Sequence, residues 1–166
     1  MMHFPSPEEM TAFGRRLGGV LFPGAVIALV GPLGAGKTFL VRAIAEGLGI
    51  ADSRTVCSPT FTLVHEYPAR LMIYHFDVYR LKSTAEFLDL GAVEYFDAGG
   101  VCLIEWADRV SDVLPADRLE IAITSTGEFS RNLTLRSHGK RHDIIVSSVS
   151  SWPAVYAEGI FSSQSK

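Results

Sequence analysis

The octapeptide GPLGAGKT at residues 31–38 constrains the chain more than any other stretch. It fits the pattern G-x-x-x-x-G-K-[ST]. Six consecutive apolar residues, 25–30, precede it, and after it Leu40, Ile44 and Leu48 recur every four residues. An unbroken apolar run suits a strand covered on both faces in a parallel sheet, and four-residue spacing suits a helix. Strand, glycine loop and helix in that order are the setting in which such a loop binds a nucleoside triphosphate. Glycines let backbone N–H groups converge on phosphate oxygens, and the helix N-terminus adds a favourable dipole. Lys37 then reaches the β and γ phosphates, and the Thr38 hydroxyl coordinates Mg2+. The nucleotide contacts expected here are Gly31, Leu33, Gly34, Ala35, Gly36, Lys37, Thr38 and Phe39. The competing reading, a glycine-rich turn with an incidental lysine, leaves the correct flanking elements unexplained.

A Mg2+ ion held by Thr38 and phosphates needs waters and at least one carboxylate to complete its octahedron. Two acids stand where strands end: Asp77 in YHFDVYR and Glu105 in VCLIEWADR. In an open parallel sheet ligands lie outside the carboxyl ends of the strands, so both acids point toward the nucleotide, as metal ligands or as aligners of a catalytic water. Lys37, Asp77 and Glu105 are the expected catalytic set, and Thr38, Glu105 and Asp77 the expected metal set. The alternative for each acid is a solvated strand terminus. The hydroxyl cluster SPTFT, residues 58–62, suits either a γ-phosphate sensor or a proline turn with hydroxyl caps. His65 and His75 read as structural histidines.

Around this motif the pattern is α/β. Ser6-Pro7-Glu8-Glu9 is a capping box, followed by Met10, Phe13, Leu17 and Val20 at helical spacing. A second box, Ser83-Thr84-Ala85-Glu86, opens a short helix to about Leu90, with another turn near 94–96. Strands are expected at 61–67, 71–79, 101–105, 119–124, 132–136 and 142–147. Helices alternate with strands early and strands dominate late. The expectation is therefore one P-loop NTPase domain over residues 1–166, a parallel or mixed sheet flanked by helices and finished by antiparallel strands. The tail 150–166 fits neither pattern.

Composition excludes several classes. No apolar run approaches the roughly 20 residues of a membrane helix, and the N-terminus lacks signal-peptide regions, so a cytoplasmic location and no membrane contact are expected. Cys57 and Cys102 lack metal-ligand spacing and read as reduced core or near-core thiols. A net charge of −3, with scattered Lys and Arg, gives no general basic surface, so any nucleic acid would be held mostly by a partner.

No guanine-reading N-K-x-D or T-K-x-D stretch occurs, which favours ATP over GTP. A small-molecule kinase usually carries a basic lid, and the candidate at 107–118 has only Arg109 and Arg118 among Asp108, Asp112 and Asp117. The kinase reading, and that of a nucleotide switch without useful hydrolysis, remain the alternatives to an ATP hydrolase.

GPLGAGKT, SPTFTLVHEY, HFDVYRL and LIEWADR, in this order and at these separations, resemble the signature blocks of the TsaE family. That family is the ATPase component of bacterial tRNA threonylcarbamoyladenosine biosynthesis, and the likeness runs from the first helix to about Arg131. It implies an Mg2+-dependent ATPase, weak alone and stimulated by the partner proteins TsaD and TsaB. That pair transfers threonylcarbamoyl to adenosine 37 of tRNA, so this chain would meet tRNA only through the complex. Position by position, the resemblance makes Lys37 and Thr38 phosphate and Mg2+ ligands, Asp77 and Glu105 metal-site or water-positioning acids, and Trp106 a residue of the site. Thr60 would belong to the SPT segment, Arg131 of FSRNL would lie near the nucleotide, and residues 6–11 would border the base. Pro32 departs from the acid usual in the family's loop, and the tail beyond about 150 does not align.

Overall fold

The structure, a computed structural model, describes residues 1–151. In chain order the elements are β1 (Met2–Phe4), α1 (Pro7–Val20), β2 (Val26–Val30), α2 (Lys37–Gly47), β3 (Val64–Tyr67), β4 (Ile73–Asp77), α3 (Thr84–Asp89), α4 (Ala92–Asp97), β5 (Val101–Glu105), β6 (Leu119–Ser125), β7 (Arg131–Ser137) and α5 (Lys140–Val149). Short 3-10 turns occupy Ser53–Thr55 and Ala107–Val113.

The seven strands form one sheet in the order β1-β7-β6-β2-β5-β4-β3. Its centre, β6-β2-β5-β4, is parallel, and β3, β7 and β1 pair antiparallel at the two sides. The mixed α/β architecture expected from the sequence is the one observed. β2 is apolar throughout, and β5 is apolar up to its last residue, Glu105, because both faces are covered. Ile27, Leu29, Val101 and Leu103 face a core built with α1, α2 and α5, while Val26, Ala28, Cys102 and Ile104 face a second core with Phe76, Phe87 and Ala92.

Both expected serine N-caps form. Ser6 Oγ accepts the Glu9 amide and Ser83 Oγ the Glu86 amide, each at 3.3 Å. Helices α1 and α2 approach so closely that a Cβ on Gly47 would lie 2.0 Å from the Arg15 carbonyl oxygen. This contact fixes α2, whose first turn carries Lys37 and Thr38.

Several expectations need correction. Residues 142–147 are not a strand. They lie in α5, where His142, Ile145 and Val149 are buried at helical spacing against the core. Cys57 is exposed rather than near-core, because it stands in the irregular segment before the SPT turn. Cys102 is buried as expected, and burial pushes its thiol up to about 12. Val20 ends α1 on its exposed side. The segment 107–118 is not a free lid. Ala107, Val110 and Leu114 pack into the second core, and Arg109 is held by the Leu81 carbonyl at 3.1 Å. Trp152, Tyr156, Ile160 and Phe161 of the tail lie outside the described residues.

Candidate active site

The parallel register brings the two acids together. Asp77 at the end of β4 is paired with Glu105 at the end of β5, and Glu105 is paired with Leu29 of β2, one residue before that strand runs into the glycine loop through Val30. Alternation along the strands does the rest: Glu105 shares its side of the sheet with Leu103 and Val101, and Asp77 shares it with His75 and Ile73. That is the side covered by α2.

Thr38 Oγ1 donates to Glu105 Oε2 at 2.9 Å, and Glu105 Oε1 lies 2.8 Å from His75 Nε2. Asp77 is engaged differently. Its Oδ1 accepts the Tyr79 amide at 2.9 Å, and its Oδ2 accepts the hydroxyls of Ser58 and, at 3.2 Å, Thr60. Glu105 is thus tied to the loop's threonine, and Asp77 to the SPT turn. Both carboxylates are buried, at 2% and 4% exposure.

Lys37 is buried too. Its ammonium donates to the carbonyls of Gly31 and Pro32 at 2.7 and 2.9 Å and rests 3.6 Å from the centre of the Trp106 ring. Burial pushes the Lys37 ammonium below its ordinary value, opposed by the charges of Glu105, Asp77 and Asp108. Trp106 adopts a left-handed backbone (φ 61°), which turns the chain out of β5 immediately after Glu105 and lays the indole 4.7 Å from the Tyr79 ring. Proline at position 32 keeps its carbonyl in the lysine's shell.

These groups open on a cleft of about 390 Å3 whose lining includes Leu33, Gly34, Gly36, Lys37, Thr38, Phe39, Thr60, Asp77, Glu105 and Trp106. Beside it, sharing Gly36 and Phe39, is a smaller hollow of about 190 Å3 walled by Pro7, Met10, Phe129 and Arg131. Arg131 reaches the loop by donating from Nε to the Ala35 carbonyl at 2.8 Å. The expected site residues are therefore brought to one place, except that Gly31 and Ala35 line neither hollow: Ala35 is buried in the first core and Gly31 packs against it and Ile123. A Cβ on Gly31 would meet the Ile123 carbonyl at 2.4 Å, so this turn has room for hydrogen only. Sequence reading passed over Tyr79, Phe129 and the part played by His75. FSRNL held a signal for Phe129, an aromatic two residues before the arginine.

The donors are hydroxyl and carboxylate oxygens, the hard ligands that suit Mg2+. Among the described residues no cluster of three or more His, Cys, Asp or Glu could cage a metal alone. A cation here would take one or two protein carboxylates with the rest from phosphate and water, as Mg2+ at phosphate-binding sites does. The arrangement can cradle an anion on loop amides beside a buried ammonium, with an anchored carboxylate facing the same space. No helix among the described residues is long and apolar enough to cross a membrane.

Residues 4–133 match the family model described as threonylcarbamoyl adenosine biosynthesis protein TsaE. The chain is 43% identical over 146 residues to the tRNA threonylcarbamoyladenosine biosynthesis protein TsaE of Bacillus subtilis, covering 87% of this chain and 90% of that protein. It is 42% identical over 130 residues to the protein of the same name from Treponema pallidum, covering 78% and 95%. The crystal structure of Bacillus subtilis YdiB superposes with a TM-score of 0.77 at 38% identity, covering 90% of this chain and 92% of that one.

Proposed function

The chain belongs to the TsaE family, and from that premise we propose that it is an Mg2+-dependent ATPase that supports threonylcarbamoyladenosine modification of tRNA by driving the cycle of a TsaD–TsaB complex. The observation that carries the reading is the 2.9 Å bond from Thr38, second residue of α2, to Glu105 at the end of β5. It joins the loop's hydroxyl to the carboxylate best placed beside the triphosphate. ATP would enter the larger cleft with its phosphates on the loop amides from Gly31 to Thr38. Its base would occupy the hollow of Pro7, Met10, Phe39 and Phe129, bordered by Arg131. Lys37 would leave the carbonyls of Gly31 and Pro32 for the β and γ phosphates, where a buried ammonium stabilises developing negative charge.

Thr38 and Glu105, with Asp77 behind the SPT turn, would hold Mg2+. When bound, it neutralises charge on the β and γ phosphates. Glu105 or Asp77 aligns a water on the γ-phosphorus. The water oxygen bonds to phosphorus as the bond to the β–γ bridging oxygen breaks, and the products are ADP, phosphate and a proton. Hydrolysis would reset the partner complex. The packing of Ala107, Val110 and Leu114 into the second core, with Arg109 held by the Leu81 carbonyl, disfavours a kinase, because it ties down the segment that would carry a basic lid.

Phosphate release with ATP in the presence of TsaD and TsaB tests the reading. Lys37→Ala should remove nucleotide binding or turnover, and Glu105→Ala should lower turnover more than binding. Wild-type rates in both variants would sink the assignment. Phosphate on a metabolite acceptor would identify a kinase, and tight binding without release would identify a switch.

A further inference from the structure

His75 is fully buried in the middle of β4 and lines neither hollow of the site. Its Nε2 lies 2.8 Å from Glu105 Oε1, while its Nδ1 has no hydrogen-bond partner among the described residues. A carboxylate only accepts, so the shared hydrogen is carried by Nε2. An imidazole buried with one nitrogen unsatisfied is a poor choice for stability, since its strand neighbour Ile73 and its cross-strand partner Leu103 are both buried in the apolar core. The imidazole is better explained by what it does to Glu105.

A glutamate side chain has several free torsions, and its carboxylate can approach an ion in many orientations. Here the bond from His75 to Oε1 fixes the plane of the carboxylate and leaves Oε2 toward Thr38. This is the way a partner behind a metal ligand orients it, and removing such a partner typically costs about 10–100-fold in affinity or activity. Resting on the ATPase reading of this site, we propose that His75 is a positioning residue: its Nε2–H holds Glu105 in the orientation needed beside Thr38, without touching the nucleotide.

Glutamine and asparagine separate this role from simple filling of space. The amide nitrogen of glutamine reaches about as far as Nε2, whereas that of asparagine stops near the position of Nδ1. We would compare His75→Gln, His75→Asn and His75→Leu in the full chain. The measurements are kcat and KM for ATP with TsaD and TsaB, and binding of a fluorescent ATP analogue with and without Mg2+. The asparagine and leucine variants should lose about 10–100-fold in kcat. They should bind the analogue normally without Mg2+ but lose about 10-fold of the affinity that Mg2+ adds. His75→Gln should retain most of both.

Wild-type kcat and Mg2+ dependence in folded His75→Asn or His75→Leu, or a glutamine variant no better than asparagine, overturns the proposal. If His75→Leu fails to fold, the contrast between glutamine and asparagine decides alone. Lys37→Ala separates the two levels. Wild-type protein no faster than that variant overturns the ATPase reading and the role of His75 with it. An active wild type matched by all three His75 variants overturns only the latter.

Discussion

Two buried histidines, each against a carboxylate, serve opposite ends of the parallel strands and are wired differently. At the start of β2, His142 of α5 uses both ring nitrogens: Nε2 accepts the Val26 amide at 3.1 Å and Nδ1 donates to Asp117 Oδ1 at 2.6 Å. The second Asp117 oxygen accepts the Arg141 amide at 3.3 Å. Toward the other end, His75 in mid-β4 uses one nitrogen, on Glu105 at the end of β5, and that carboxylate spends its second oxygen on Thr38. One arrangement is closed within the protein and anchors α5 to the sheet. The other is open toward the cleft. Polar groups that serve only stability are expected to be fully satisfied, whereas those that serve a ligand break that rule locally.

The sharpest way to test the contrast is to cut one group at each end. At the site end, Lys37→Ala should lower turnover by about 100–1000-fold, the scale of losing one donor to transition-state charge. Its urea midpoint should not fall, because burial already disfavours the Lys37 ammonium and its carbonyl partners lie in a loop open to the cleft. At the fold end, His142→Ala leaves the Val26 amide buried without an acceptor and opens a space beside Phe22. It should cost about 2–4 kcal/mol in urea unfolding, with normal turnover per folded molecule. A His142 variant that kept full stability, or lost turnover while folded, would break the division between the two ends.

How far the sequence could be read follows the same line. The loop, its strand and its helix were legible because their signals are local: a motif, an apolar run and a four-residue period. Asp77 and Glu105 were legible because they end strands. His75 was not, because its meaning depends on a register that brings it to Glu105, 30 positions away. Arg131 was legible only as part of a resemblance, since its bond to Ala35 spans 96 positions. Helix α5 was misread because HDIIVSSV has an apolar run too short to show a period. Its helical form comes from docking His142, Ile145 and Val149 on the core. Strand β1, three residues long, exists through its pairing with β7 and had no pattern to display.

The smallest expected effect refines the fold end through pH. The hydrogen bond from His142, opposed by partial burial and helped by the Arg141 amide, holds the Asp117 carboxyl below its ordinary range. A carboxyl whose folded value is depressed stabilises the fold above the unfolded value, about pH 4, and that contribution disappears as pH falls through the folded value. Asp117 is 36% exposed, so solvent screens much of the interaction and the effect should be modest. The urea midpoint of the wild type should therefore fall more steeply between about pH 5 and pH 3 than that of Asp117→Asn, whose amide oxygen still accepts from His142 but does not titrate. Equal slopes would mean that His142 is held by its packing against Phe22 and by Val26, with the Asp117 charge contributing only geometry.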